Sequence, residues 1–321
     1  MYAPAGNTTG TAGLAHLATV WYNRRALTTL RKHTHFHRAG KNDDLPLQNG
    51  KTVQWFRPTE FGVNITATTE GSPGTSLEMA TSTISATVSQ FSDYITLSDF
   101  LVATDIVNTT QMATDRLSYR ASLTVDTLIR NEIDANATAQ TLIGDVLSAF
   151  DLAKTDAIFK GGDVQTMENG YFKCFSHPYV LYDLKNDPQA GGFQDLSKYI
   201  ASLQQANIKT PDRGLIGHIH NCEIWETSNS LQTSGSPNQW RTYILGQEAL
   251  GLVRLSGLGP KYISDPDKER FNVWTVKNDG QQIADIERKI AYGCAYKFIF
   301  APKTLDANRM RKIDSPSSVV A

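Results

Sequence analysis

The sequence predicts a mixed α+β fold, and three observations predict it. Two strand-like runs within 51–97 enclose a Thr/Ser-rich stretch. One long amphipathic helix covers about 108–134. Beyond 160, short apolar runs alternate between strand and helix character.

The elements are taken in chain order. The opening "MYAPAGNTTGTAG" is Gly/Ala/Thr-rich and reads as a tail. In "LAHLATVWYNRRALTTLRKH", Leu14, Leu17, Trp21, Leu27 and Leu30 sit mostly at helical spacings. The next stretch, "THFHRAGKNDDLPLQNG", is turn-rich. Lys51 to Phe56 is β-prone. Ile84, Ala86 and Val88 alternate on one phase, and Phe91, Ile95 and Leu97 on the other. That phase shift at Ser89–Gln90 predicts a bulge or bend in one long strand. The whole of 51–97 therefore reads as an extended β-hairpin whose faces its own domain does not bury. Its tip, "TATTEGSPGTSLEMATS", has no apolar face of either period, and stretches of that kind are usually functional or disordered.

Ser98 or Thr104 caps the helical region after the hairpin. Ala113, Leu117, Ala121, Val125, Ile129 and Ile133 recur every four residues, with Leu128 in the same stripe and Arg116, Arg120 and Arg130 beside it. A shorter helix over 141–159 ends at "KGGD". "YFKCFSH" reads as a strand, Pro178 opens a helix, and "FQDLSKYIASLQQA" is another helix. "LIGHIHNCEIWET" reads as two short strands, "SNSLQTSGSPNQW" as a polar loop, and "TYILGQEALGLVRL" as β-leaning. "FNVWTVK" and "IERKIAYGCAYKFIF" are strands, and "DSPSSVVA" is a loose tail.

Composition narrows the function classes. With 321 residues, 40% hydrophobic and 20% charged, the chain can bury a sizeable core. A net charge of −1 gives no whole-protein case for polyanion or membrane binding. No apolar run approaches the length that spans a bilayer, and the N-terminus has no basic region followed by an apolar core. Three widely separated cysteines, Cys174, Cys222 and Cys294, fit a reduced, cytoplasmic setting. Asn-x-Thr matches at Asn7, Asn64, Asn108 and Asn136 then carry no glycan.

Chemical motifs are sparse. The chain has no phosphate-cradling Gly-x4-Gly-Lys-Ser/Thr loop and no Gly-x-Ser-x-Gly elbow, and "DPDKE" at 265–269 lacks the full acidic ladder of a calcium loop. Histidines offer the best candidate ligands. "HTHFH" puts His33, His35 and His37 on one side of a strand, if it is one, and "HIHNC" does the same for His218, His220 and Cys222. A polar strand edge facing solvent or a neighbour is the simpler reading of both. The expectation is no catalytic site, no cofactor and no metal. One charge feature stands out: the first 42 residues carry Arg24, Arg25, Arg31, Lys32, Arg38 and Lys41 and no acid. That run is either a solvated helix face or a basic patch for a polyanion.

Four segments carry a resemblance: "WYNRRALTTLRKH" (21–33), "LPLQNGKTVQWFR" (45–57), "TVSQFSDYITLSD" (87–99) and the helix through "LTVDTLIRN" (123–131). In that order they resemble the major capsid proteins of N-four-like tailed bacteriophages, whose shells use the Hong Kong 97-type fold. "GYFKCFSHPYVLYDL" (170–184), "IGHIHNCEIWETSN" (216–229) and "IAYGCAYKFIFAP" (290–302) fit the order more weakly. The resemblance implies an N-terminal arm (1–50), an extended hairpin loop (51–97), a peripheral domain with a spine helix (98–160), an axial domain (161–285), and a return strand with C-terminal tail (286–321). It implies a shell of hexamers and pentamers around double-stranded DNA, with portal, scaffold and possible decoration proteins as partners, and no membrane.

Under that reading the hairpin tip crosses a neighbouring subunit's spine helix. Thr66, Thr68, Glu70, Gly71, Pro73 and Glu78 on the tip then meet Arg116 and Arg120 on the helix. Arg24, Arg25, Arg31 and Lys32 form an interior basic arm. The loop at 228–240 falls near the five- and six-fold axes. Two other classes stay open: a cellular nanocompartment shell of the same fold, and a soluble metal-dependent enzyme built on the histidines.

Overall fold

A computed structural model describes residues 32, 34–46, 49–68, 70–71, 76–105, 108–142, 146–186, 215–233, 238–255, 272–276 and 291–320. The tail at 1–13, the helix expected over 14–33 apart from Lys32, and the helix expected over 193–206 lie outside the described residues.

The organising element is α2, Thr109–Asn136, 28 residues long. At 1.5 Å per residue it spans about 42 Å. Asn108 caps it, its side-chain oxygen accepting the Gln111 N–H at 3.1 Å. All six stripe residues from Ala113 to Ile133 are buried, so the four-residue spacing reads the packed face correctly. Ser98 caps the short preceding helix α1, Asp99–Thr104, as expected, while Thr104 is its last residue and caps nothing.

Two large sheets flank α2. The first holds β1 (Lys41–Leu45), β4 (Ser89–Ser98), β11 (Leu250–Leu255), β12 (Asn272–Val276) and β13 (Ala291–Thr304). The 14-residue β13 is its centre: β4 pairs along one edge from Ser89 to Ser98, and β12 and then β11 pair along the other. The second sheet runs β5 (Thr138–Gln140), β14 (Met310–Pro316), β10 (Gln239–Leu245), β6 (Phe172–Ser176), β8 (Cys222–Glu226), β7 (Leu215–Ile219), with β9 (Gln232–Thr233) also on β10. Helices α3 (Ala149–Gly161) and α4 (Pro178–Lys185) join a second core through Leu152, Phe159, Val180, Leu181 and Leu184, with Phe172, Ile224 and Ile244 from the strands. Pro178 sits in the first turn of α4, where its missing N–H costs nothing. Ahead of it, burial and the Lys32 charge push the His177 imidazole down to about 4. It is neutral at neutral pH, and Nδ1 accepts the Tyr179 N–H at 3.3 Å.

The expected single long strand over 81–98 is two strands. β3 (Thr81–Thr87) pairs only with β2 (Thr52–Pro58), in the register Thr52↔Thr87 to Pro58↔Thr81. After Val88 the chain enters β4 and the five-stranded sheet. The phase shift marks a strand changing sheets, and the hairpin therefore ends at Thr87 and not at Leu97.

Three polar stretches are more ordered than their composition implies. The turn-rich 34–50 contains a 3₁₀ turn, Phe36–Ala39, and β1, which lies parallel to β11. "DSPSSVVA" is not loose. Asp314 to Pro316 complete β14, Ser317 Oγ donates to the Tyr179 carbonyl at 2.9 Å, and the Ser318 N–H donates to Asp183 Oδ2 at 3.0 Å. In the polar loop 228–240, Asn229 and Ser230 are buried and 232–233 form β9.

Asp126 explains how the loop and the N-terminal segment meet α2. One oxygen accepts the Phe36 N–H at 2.9 Å and the other accepts the Asn229 side-chain amide at 2.9 Å. Burial nevertheless pushes this carboxyl up to about 6, against those hydrogen bonds and the Arg130 charge. The folded chain thus keeps a proton that the unfolded chain has released above its ordinary value of 3.8. This group's contribution is fullest below pH 4 and is lost as pH rises through 6. The loss amounts to roughly 3 kcal/mol. Asp126→Asn removes the titration, so urea unfolding of the unassembled chain should show the variant gaining on the wild type between pH 4 and 6. A constant gap across that window refutes this account.

Candidate assembly surfaces

The hairpin divides into a seated base and an uncovered tip. Along β2, Val53, Trp55 and Arg57 are half-buried while Gln54 and Phe56 are exposed; along β3, Ile84 and Ala86 face the same way as the half-buried set. Val53, Trp55 and Ala86 pack with Leu45, Val253 and Leu255 in a small third core. The expectation that the hairpin buries no face in its own domain is therefore corrected: its base does, because β1 and β11 present an apolar seat.

Among the described residues the tip has no such seat. Every described residue from Thr59 to Ala80 is exposed, including Thr66, Thr68, Glu70, Gly71 and Glu78. Pro73 lies outside the described residues. Gly71 has φ +81°, a left-handed conformation that suits glycine. The Thr66 N–H donates to Asn64 Oδ1 at 2.9 Å. Large apolar side chains stand in water here, with Val63 90% and Ile65 92% exposed, together with Phe61, Leu77 and Met79. Large apolar side chains exposed together on one arm in this way mark an interaction surface. Sequence reasoning missed it, although Phe61, Val63 and Ile65, and Leu77 and Met79, are spaced by two.

The three spine arginines differ. Arg116 is exposed. Arg120 is also exposed, and its Nε lies 2.6 Å from Asp93 Oδ2 on β4 of its own chain. Arg130 donates to the Asn229 carbonyl at 3.0 Å and so serves the chain's own loop. Arg116 and Arg120 are the two assigned to a neighbour's tip, while the Arg130 guanidinium anchors Asn229 of its own chain.

In the basic arm, Lys32 is exposed and its N–H donates to the Tyr119 hydroxyl on α2 at 2.7 Å. Arg24, Arg25 and Arg31 lie outside the described residues.

The histidine groupings do not hold as strand faces. His35 precedes a 3₁₀ turn that contains His37, and His33 lies outside the described residues. His220 and Asn221 have φ +44° and +61° and form the two-residue turn between β7 and β8. His218 packs at a tilt against Tyr171, ring centroids 4.2 Å apart, on one side of that turn, and Cys222 is buried on the other. The turn breaks the period of two that the grouping assumed. Among the described residues no three His, Cys, Asp or Glu side chains converge as a metal site. The cysteines form no disulfide. Burial pushes the Cys222 thiol up to about 12 and raises that of Cys174, which leaves both poor nucleophiles at neutral pH. No described helix is long and apolar enough to cross a membrane.

No family model matches the chain, and no curated protein matches it. Solved structures do. The capsid of Ralstonia phage GP4 superposes with a TM-score of 0.70 at 13% identity, over 94% of this chain and 96% of that one. The acid-stable capsid of Helicobacter pylori bacteriophage KHP30 gives 0.69 at 8% identity over 98% and 100%. The capsid of cyanophage P-SCSP1u gives 0.67 at 9% identity over 99% of each chain. A spine helix under a long central strand, a second sheet and a projecting hairpin are thus parts of one known architecture, and the chain has the Hong Kong 97-type fold of phage capsid proteins.

Proposed function

We propose that this chain is the major capsid protein of a tailed bacteriophage, self-assembling through hexamers and pentamers into a closed icosahedral shell around the genome. The observation that carries this reading is the uncovered apolar tip on a fold shared, end to end, with phage capsid proteins. A second copy supplies what the tip lacks, since none of the described residues of its own chain covers it. Obligate interfaces commonly bury about 2,000 Å² or more, and a shell sums many of them.

The finer assignments rest on the resemblance. The four segments within 21–131 favour the N-four-like type. Residues 1–50 would be the N-terminal arm, 51–97 the extended loop up to Thr87 followed by β4, 98–160 the peripheral domain, 161–285 the axial domain with 228–240 near the symmetry axes, and 286–321 the return strand and tail. Of the spine arginines, Arg116 is the better donor to Glu70 or Glu78 of a neighbour, because Arg120 already holds Asp93. Arg24, Arg25, Arg31 and Lys32 would face the interior, against DNA or scaffold, because the run has no acid. Portal, scaffold and decoration proteins complete the partners, with assembly in the host cytoplasm and residence in the virion.

The phage-head neighbours do not favour the nanocompartment. A metal enzyme loses its best ligand set when the β7–β8 turn separates His218 from Cys222. Light scattering and negative-stain microscopy of the purified chain test the reading: closed particles or capsomers are expected, and a monomer under all assembly conditions overturns it. A map of such particles with the basic arm on the outer surface would sink the interior assignment.

A further inference from the structure

The hairpin raises a mechanical question. Among the described residues β2 and β3 pair only with each other, as a separate two-stranded sheet. No ladder of backbone hydrogen bonds joins them to the five-stranded sheet. The chain connects the hairpin to the body at its base, from β1 into β2 and through Val88 into β4, and the Val88 N–H donating to the Lys51 carbonyl at 2.9 Å closes only the hairpin. The direction in which the arm leaves the body must therefore be set by side chains.

Beside the apolar packing of Val53 and Ala86, two side chains on the inward face of β2 make polar contacts with the body. The Trp55 indole N–H donates to Asp43 Oδ2 on β1 at 2.6 Å, and its ring lies flush over Gly251 of β11. A Cβ at Gly251 would stand 2.9 Å and 3.0 Å from two ring carbons of Trp55. Glycine is needed here for close approach and not for an unusual backbone angle. Two residues further out, Arg57 lies 3.2 Å from Asp306 Oδ2 and donates to the Leu305 carbonyl at 3.0 Å. Asp306 is itself held by Arg309 at 3.3 Å. Both partners of Arg57 lie in the segment between β13 and β14, so the clamp grips two separate parts of the body.

We propose that Trp55, seated on Gly251 and Asp43, and Arg57, held by Asp306 and the Leu305 carbonyl, are the positioning residues that fix the exit angle of the arm and thereby the site on a neighbouring copy that its tip can reach. This rests on the shell reading. Two contacts about 7 Å apart along a strand resist rotation as one contact does not. Pre-setting the angle also removes an ordering cost that each arm would otherwise meet on docking.

The experiment uses the unassembled full chain with Met79→Cys and Gln111→Cys as spin-label sites; both positions are exposed and the three native cysteines are buried. The parent should give one narrow interlabel distance. In Trp55→Ala/Arg57→Ala the distribution should broaden roughly twofold with unchanged circular dichroism, and without labels the yield of closed shells should fall about tenfold. Gly251→Ala removes neither side chain but displaces the ring, and should shift the mean distance. Trp55→Phe, which keeps a ring on Gly251, should restore part of the yield. A distribution as narrow and as centred as the parent's in both the double variant and Gly251→Ala overturns the clamp, as do shells of parental yield and diameter. If the parent forms no shells, the shell reading fails while the distances still decide the clamp.

Discussion

Replacing Thr66–Ser82 with a short Gly-Ser turn should leave a folded chain that no longer closes into shells. The described residues of that stretch are all exposed, so removing them takes no packing from any core. The base is kept: five of the seven β2–β3 pairs, Thr52↔Thr87 to Phe56↔Thr83, lie outside the deletion, and Trp55 and Arg57 keep their partners on the body. Leu77 and Met79 leave with the stretch, which removes two of the exposed apolar side chains of the tip. Intersubunit burial falls while intrasubunit burial does not. Circular dichroism and urea unfolding should match the parent within about 0.5 kcal/mol, as for surface changes generally. Light scattering should show no closed particles. Normal assembly of the shortened chain, or its unfolding, refutes the assignment of the tip as an intersubunit strap. Glu–Arg pairs add little to this effect, since an exposed pair contributes about 0–1 kcal/mol.

Phe36→Ala should have the largest effect on the chain itself, a loss of about 3–5 kcal/mol. The ring is fully buried. Its centroid lies 5.0 Å from that of Phe175 and 5.7 Å from that of Tyr243, so it closes the core between the second sheet and α2. Truncation leaves a cavity whose walls are strands and a long helix, which relax little. A loss of that size is a large part of the stability of an ordinary domain. Chemical unfolding of the unassembled chain measures it, and Phe61→Ala, a half-exposed phenylalanine on the arm, is the control expected to change little. A Phe36→Ala chain within about 1 kcal/mol of the parent would show that the N-terminal segment is not part of the core.

The sequence by itself determined those elements whose own period is strong. Six apolar residues at four-residue spacing placed α2 almost to the residue, because one face of a helix that long can be buried only as a stripe. Ser98 as a cap, Pro178 at a first turn and the shift of phase at Ser89 were likewise local in cause. Only the tertiary structure decided what polar segments do. Lys41–Leu45 has no strand character of its own and is a strand because β11 offers it a parallel edge. Phe36 and Asn229 look like loop residues and are buried because Asp126, roughly a hundred positions away, accepts hydrogen from both. Trp55 and Arg57 look like two more residues of a hairpin. Their role depends on Gly251 and Asp306, about 200 and 250 positions on, and contacts at that separation leave no period in the chain to be read.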